Sequence, residues 1–261
     1  MAFFMDNIVI DRIQMATAED NAGNILYTIT QLADATIDIT AESKDAVDAQ
    51  GTLIKRFYTG KQGTFTANNA IIDFNILASS TGSAKQVATT SKKIVMPRIM
   101  TVDKTTQSVT LTGMKEGTVH VEGVATNGTR VESYTMDTAA GNKKYAISDT
   151  TLTLPTTTDE KVATFLIKYD RDVQSGVKIV NKADEYPSTV KLTLKALAVD
   201  PCESDTLRAC YIVLPSFQVS PETSLSLTTD AQLEYKGDLQ QSYCSTEKTL
   251  YEIYFAEEDT E

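Results

Sequence analysis

Ile37 and Ile39 alternate with Thr36, Asp38 and Thr40, and this period of two predicts a strand with one buried and one wet face. The same texture recurs through most of the chain: short runs of Thr, Val, Ile and Ser, punctuated by Gly, Asn, Asp and Pro. Ahead of that strand, Ile8, Val9, Ile10 and Ile13 predict a short extended segment that docks on a sheet. After it, the charged run SKDAVDAQG reads as an exposed loop closed by Gly51. LIKRFYTGKQGTFTA then predicts two further strands around Gly60 and Gly63.

One stretch breaks the pattern. Over 68–81, Ala70, Phe74 and Leu77, with Ile72 and Ile76 beside them, recur at three- and four-residue spacing on one face. That spacing predicts a helix over 68–81, capped by Asn68 or Asn69, with Gly82 as the left-handed residue that ends it.

From Lys92 onward the pattern predicts strands at 93–96, 108–112, 118–122, 130–136, 151–154, 162–169, 177–180, 189–199, 209–214, 224–227 and 250–255. Strands this regular, with turn signals between them, predict an all-β sandwich or barrel subunit with one short helix rather than βαβ units. Residues 101–160 are richer in Gly, Thr and charge than their flanks. They are expected to form an inserted β-rich lobe in a discontinuous core made of 1–100 and 161–261.

Charge narrows the partners. A formal net charge of −11 argues against sequence-independent nucleic-acid binding, which needs Lys and Arg to neutralise phosphates. No run reaches the roughly 20 apolar residues of a membrane helix. The start MAFFMDNIVIDR lacks the basic region of a secretory signal. With three cysteines, Cys202, Cys210 and Cys244, outside metal-ligand spacing, synthesis in a reducing cytoplasm is the simplest expectation. Asn127-Gly-Thr129 matches a glycosylation sequon and reads here as a turn.

Chemistry has little to work with. His120 is the single histidine; it shares a strand face with Glu122, and two ligands on one strand do not complete a metal site. No Gly-x-Ser-x-Gly elbow, phosphate-cradling loop or dinucleotide fingerprint occurs. Carboxylates around Asp45, Asp48 and Asp137 lack the ordered spacing of a calcium loop. A carboxylate-pair hydrolase is open on composition, although the chain has no Trp to stack a sugar. The expectation is no enzyme and no cofactor.

Two segments suit contact between copies. The loop with Ser43, Lys44, Asp45, Asp48 and Gly51 precedes Lys55, Arg56, Phe57 and Tyr58, an exposed hairpin that fits a contact arm and equally fits one ordinary sheet edge. The run from Ala209 to Phe255 holds long strands, and Pro215 suits an edge position.

DATIDITAESKDAVDAQGTLIKRFYTGKQGTFTANNAIIDFNILASSTG and ACYIVLPSFQVSPETSLSLTTDAQLEYKGDLQQSYCSTEKTLYEIYF resemble the two halves of the tail tube, or major tail, proteins of tailed bacteriophages. Strand 36–42, the Gly60/Gly63 turn, helix 68–81, the pattern from Leu225 through Tyr235 and Gly237, and strand 250–255 carry the likeness. The resemblance covers about half the chain; 101–160 departs from the family's smaller members. It implies a β-sandwich subunit whose copies join, six to a ring, into stacked rings around an acidic channel for phage DNA. It also implies Ser43–Gly51 as the bridge between rings; Lys55, Arg56, Phe57 and Tyr58 are the candidate subunit-interface strand from the residues themselves. Implied partners are other copies and the tape-measure, tail-terminator, distal-tail or baseplate proteins, and the implied place is the virion tail. The competing readings are a capsid decoration or head protein and an immunoglobulin-like adhesion module.

Overall fold

In a computed structural model, residues 7–30, 32–156, 159–201, 203–228, 232–241 and 248–260 are described. Cys202, Cys244 and residues 229–231 of the tube-like pattern lie outside them. The protein is all-β, with one short helix among the described residues. It forms two compact units, Met1–Lys85 with Ile179–Glu261, and Gln86–Lys178.

The first unit is one curled antiparallel sheet. In spatial order it runs β2 (Ile25–Thr30), β1 (Val9–Glu19), β14 (Thr189–Asp200), β15 (Glu203–Val219), β16 (Leu233–Leu239), β4 (Leu53–Asn69) and β3 (Leu32–Val47), with β17 (Glu252–Thr260) also paired to β15. The alternation in β14 buries Val190, Leu192, Leu194, Ala196 and Ala198 on one face. Against it stand Phe65, Phe217 and Tyr235, whose rings meet edge-on or tilted at centroid distances of 5.7 to 6.3 Å. Offset and edge contacts suit the ring quadrupole, and such pairs add roughly 0.5–1.5 kcal/mol beyond area burial. Tyr27 and Tyr235 satisfy each other's hydroxyls at 2.9 Å within this core.

Several expectations need correction. The helix α1 spans Phe74–Thr81, not 68–81. Asn68 and Asn69 finish β4, where the ladder to Ala33 and Leu32 claims their backbone. Asn69 then turns the chain, donating to the Thr30 carbonyl at 3.1 Å and accepting from the Ile71 amide at 3.0 Å. The cap is Asp73, which accepts from the Asn75 amide at 2.6 Å. Gly82 does end the helix with φ 68°; a side chain there would also strike the Tyr186 backbone.

The two strands expected around Gly60 and Gly63 are one continuous strand, β4, with a bulge at Gly60 (φ 53°) absorbing the extra residue. Residues 224–227 form no strand, whereas β16, which periodicity alone did not single out, is a full member of the sheet. Pro215 lies inside β15 rather than at an edge. Its missing N–H is tolerated because it sits at a register shift opposite Val190/Leu192, between the pairings to β17 and β16.

The second unit holds a seven-stranded sheet in the order β6 (Ile94–Asp103), β12 (Thr164–Val173), β8 (His120–Val124), β9 (Arg130–Met136), β10 (Lys144–Ser148), β11 (Thr151–Thr153) and β7 (Ser108–Thr110). Phe165, Ile167 and Tyr169 of β12 alternate into a separate core with Val121, Tyr134, Tyr145 and Leu152. A two-stranded ladder, β5 (Gln86–Val87) with β13 (Val177–Lys178), pairs the entering and leaving chain. The bounds 101–160 therefore cut through this unit: they omit most of β6 and all of β12, its longest strands.

Candidate functional site

β3 and β4 form a hairpin much longer than the sheet that supports it. The partner β16 runs out at Leu239 opposite Gly63, and Gly63 is opposite Ile39. Beyond that point, among the described residues, the two strands pair only with each other, down to Val47 opposite Leu53. Eight further residues of β3 make a ribbon roughly 27 Å long at ~3.4 Å per residue.

This geometry corrects the expected loop. Ser43, Lys44 and Asp45 are strand residues in register with Tyr58, Phe57 and Arg56. Only Asp48 to Thr52 turn. The Asp48 amide donates to the Thr52 carbonyl at 3.0 Å, the Gly51 amide to the Asp48 carbonyl at 3.1 Å, and Gly51 adopts φ 84°. That is a three-residue hairpin loop with a left-handed residue at its end. The Asp48 carboxylate accepts from the amides of Thr52 (2.7 Å) and Gln50 (2.9 Å). These bonds hold its pKa below the ordinary carboxylate value. The same device closes Asp20–Asn24, where Asp20 accepts from Ala22 and Asn24 and Gly23 has φ 83°. Asp–x–x–Gly between alternating runs was the signal that separated turn from strand.

The ribbon's side chains sort onto two faces. On one, Asp45 and Arg56 form a two-point ion pair, Nε to Oδ1 at 2.7 Å and Nη2 to Oδ2 at 2.9 Å. This pairing lowers the Asp45 pKa and raises that of Arg56. Tyr58 shares that face, opposite Ser43. On the other face, Lys55 lies over the Phe57 ring at 5.1 Å, beside Lys44. A cation over a ring face is attracted by the ring's negative quadrupole. Every residue from 53 to 62 is exposed, and the exposed set includes Val47, Leu53, Ile54 (69%), Phe57 and Tyr58 (71%). Isolated two-stranded ribbons are marginal in water, and this one carries exposed apolar groups on both faces.

Other candidate chemistry is internally engaged. Asp137 is bonded to Lys144 and to the Thr138 amide. Glu122 meets Arg130 at 3.3 Å and Ser133 at 3.1 Å, with His120 exposed on the same strand. Cys210 is buried, and burial pushes its thiol pKa up. Among the described residues, no helix is long and apolar enough to cross a membrane.

The model of the YomU/Tube protein family matches residues 8–251, nearly the whole chain. The chain belongs to the YomU/Tube protein family. The match runs through both units. For a YomU/Tube protein, the coarse functional expectation stands: a structural, tube-like protein of phage descent. No curated protein matches the chain.

Proposed function

We propose that this protein is the subunit of a phage tail tube, a structural and non-catalytic virion component whose copies assemble into stacked rings, six to a ring, around a channel for DNA. The observation that carries this reading is the β3–β4 arm. It projects past its supporting sheet and exposes five large apolar side chains that a solitary molecule has no reason to display. In this reading Ser43, Lys44, Asp45, Asp48 and Gly51 reach the next ring, with Lys55, Arg56, Phe57 and Tyr58 as the contact strand. The edges of β2 and β3, unpaired among the described residues, are joints that pairing between neighbours closes, which removes the aggregation hazard of an open edge.

The net charge of −11 supports a conduit, because a surface short of cations lets a polyanion pass without holding it. Tape-measure, terminator and baseplate-side proteins are the expected neighbours in the virion tail. Negative-stain microscopy of concentrated protein tests the reading. Rings or tubes are expected; particles that stay single at every concentration overturn it.

A further inference from the structure

The inner face of the second unit carries hydrogen-bond donors that its own core leaves unused. Along β12, Phe165, Ile167, Tyr169 and Arg171 stand opposite Val102, Met100, Arg98 and Met96 of β6. The first two of these rungs pack into the core. The next two bring Tyr169, Arg98 and Arg171 onto the same face, with the Cβ atoms of facing residues about 5 Å apart.

Tyr169 is 0% exposed, and its hydroxyl has no hydrogen-bond partner among the described residues. The buried Nε of Arg171 has none there either. Arg98 and Arg171 are both half-buried and make no ion pair among the described residues. Alternation turns Asp170 and Asp172, the carboxylates flanking Arg171, to the opposite face. Two guanidinium groups side by side repel, and a buried donor without an acceptor is costly. From this juxtaposition we infer that Tyr169, Arg98 and Arg171 form a binding site for a phosphate group.

The donor set selects the ligand. Each guanidinium is a planar fork that fits a two-oxygen edge. A carboxylate has one such edge, whereas a tetrahedral phosphate presents an edge to each fork and a further oxygen to the hydroxyl. The second unit also holds half of the chain's 24 Lys and Arg but under a third of its 35 Asp and Glu, so its field favours an anion. Lys92 and Lys93, exposed just ahead of β6, add to that field at the same end of the sheet. The site lies within one unit of one copy and is independent of the tube reading.

Calorimetric titration of the full-length protein with inorganic phosphate and with dimethyl phosphate, at constant ionic strength, tests the assignment. Saturable binding is expected. Arg98→Gln and Arg171→Gln should each weaken it at least tenfold and Tyr169→Phe several-fold. Lys168→Gln removes an exposed cation from the opposite face of β12 and should change it less than twofold. Arg171→Lys should recover part of the loss, since an ammonium keeps the charge without the fork. A second measurement needs no variant: phosphate should slow phenylglyoxal modification of Arg98 and Arg171, located by peptide mass, at least tenfold relative to chloride. Binding of dimethyl phosphate as well assigns the site to a phosphodiester polymer; binding of inorganic phosphate alone assigns it to a free or terminal phosphate. No saturable binding by the parent, an equal loss in Lys168→Gln, or no protection of either arginine overturns the site.

Discussion

Arg56 holds Asp45 across the two strands of the arm through two N–H groups of its guanidinium, Nε and Nη2, at 2.7 and 2.9 Å. The pair sits where, among the described residues, no third strand supports the ribbon. It fixes register far from the core, yet both groups are open to solvent, so it contributes little to global stability. Arg56→Ala should leave the thermal midpoint unchanged while amide hydrogen exchange in 43–58 speeds several-fold. Equal exchange in both proteins would show that the pair does not order the arm. High salt should mimic the substitution in part, since exposed pairs are screened.

Protonation should loosen the tip from the turn outward. The folded pKa of Asp48 is depressed by the Thr52 and Gln50 amides. Its ordering effect is therefore present above the ordinary carboxylate value, 3.8, and is lost as pH falls through the lower folded value. Amide resonances of Gln50 and Thr52 should titrate with a midpoint under 3.8, and Asp48→Ala should abolish that titration. A midpoint at or above the ordinary value would contradict the turn geometry.

The core should weaken in alkali. Burial, with Tyr27 adjacent, pushes the Tyr235 phenol well above 10.0, its ordinary value. The unfolded chain therefore loses this proton first, and stability falls once pH rises past about 10. Tyr235→Phe should flatten that fall, measured as thermal midpoint against pH. At neutral pH it should cost about 1 kcal/mol, because the Tyr27 hydroxyl loses its 2.9 Å partner.

Gly237 is required for space rather than for conformation. A Cβ there would lie 2.2 Å from the Gln218 carbonyl oxygen and 2.6 Å from the Phe217 ring. Gly237→Ala should destabilise the first unit by roughly 1–3 kcal/mol, as overpacking does. Gly63→Ala should cost less, because its nearest neighbours are the movable side-chain ends of Leu239 and Ile39. Denaturant titration of the two variants checks the order; Gly63→Ala as the worse variant would reverse it.

Removing the arm's aromatic contacts should separate assembly from folding. Phe57→Ser with Tyr58→Ser changes exposed positions only, so denaturant stability should stay within about 0.5 kcal/mol of the parent. Polymer formed per unit protein, measured by sedimentation, should drop at least tenfold. A parental yield of polymer would move the contact elsewhere.

Alternation of Thr36 to Thr40, the strand 130–136 and the left-handed Gly82 were legible in the sequence. Each rests on local chemistry: a side-chain period of two, and a backbone angle that favours glycine. The character of the arm was legible too, because Phe57 and Tyr58 beside Lys55 and Arg56 make an unusual strand. Its shape was not. Lys44 and Asp45 are common in loops, and only their pairing with Phe57 and Arg56 across the ribbon makes them strand. In the same way Asn69 fits a cap until Leu32 and Leu233 claim its backbone, and Pro215 fits an edge until a register shift accommodates it inside β15.

The order of residues by itself determined an all-β, acidic chain with one short helix, since periodicity and composition are properties of neighbours along the chain. Tertiary structure decided which strands run past their partners, and hence where the arm arises. That depends on ladder pairings between residues as distant as Gly63 and Leu239, and no local window of the sequence encodes a pairing that far apart.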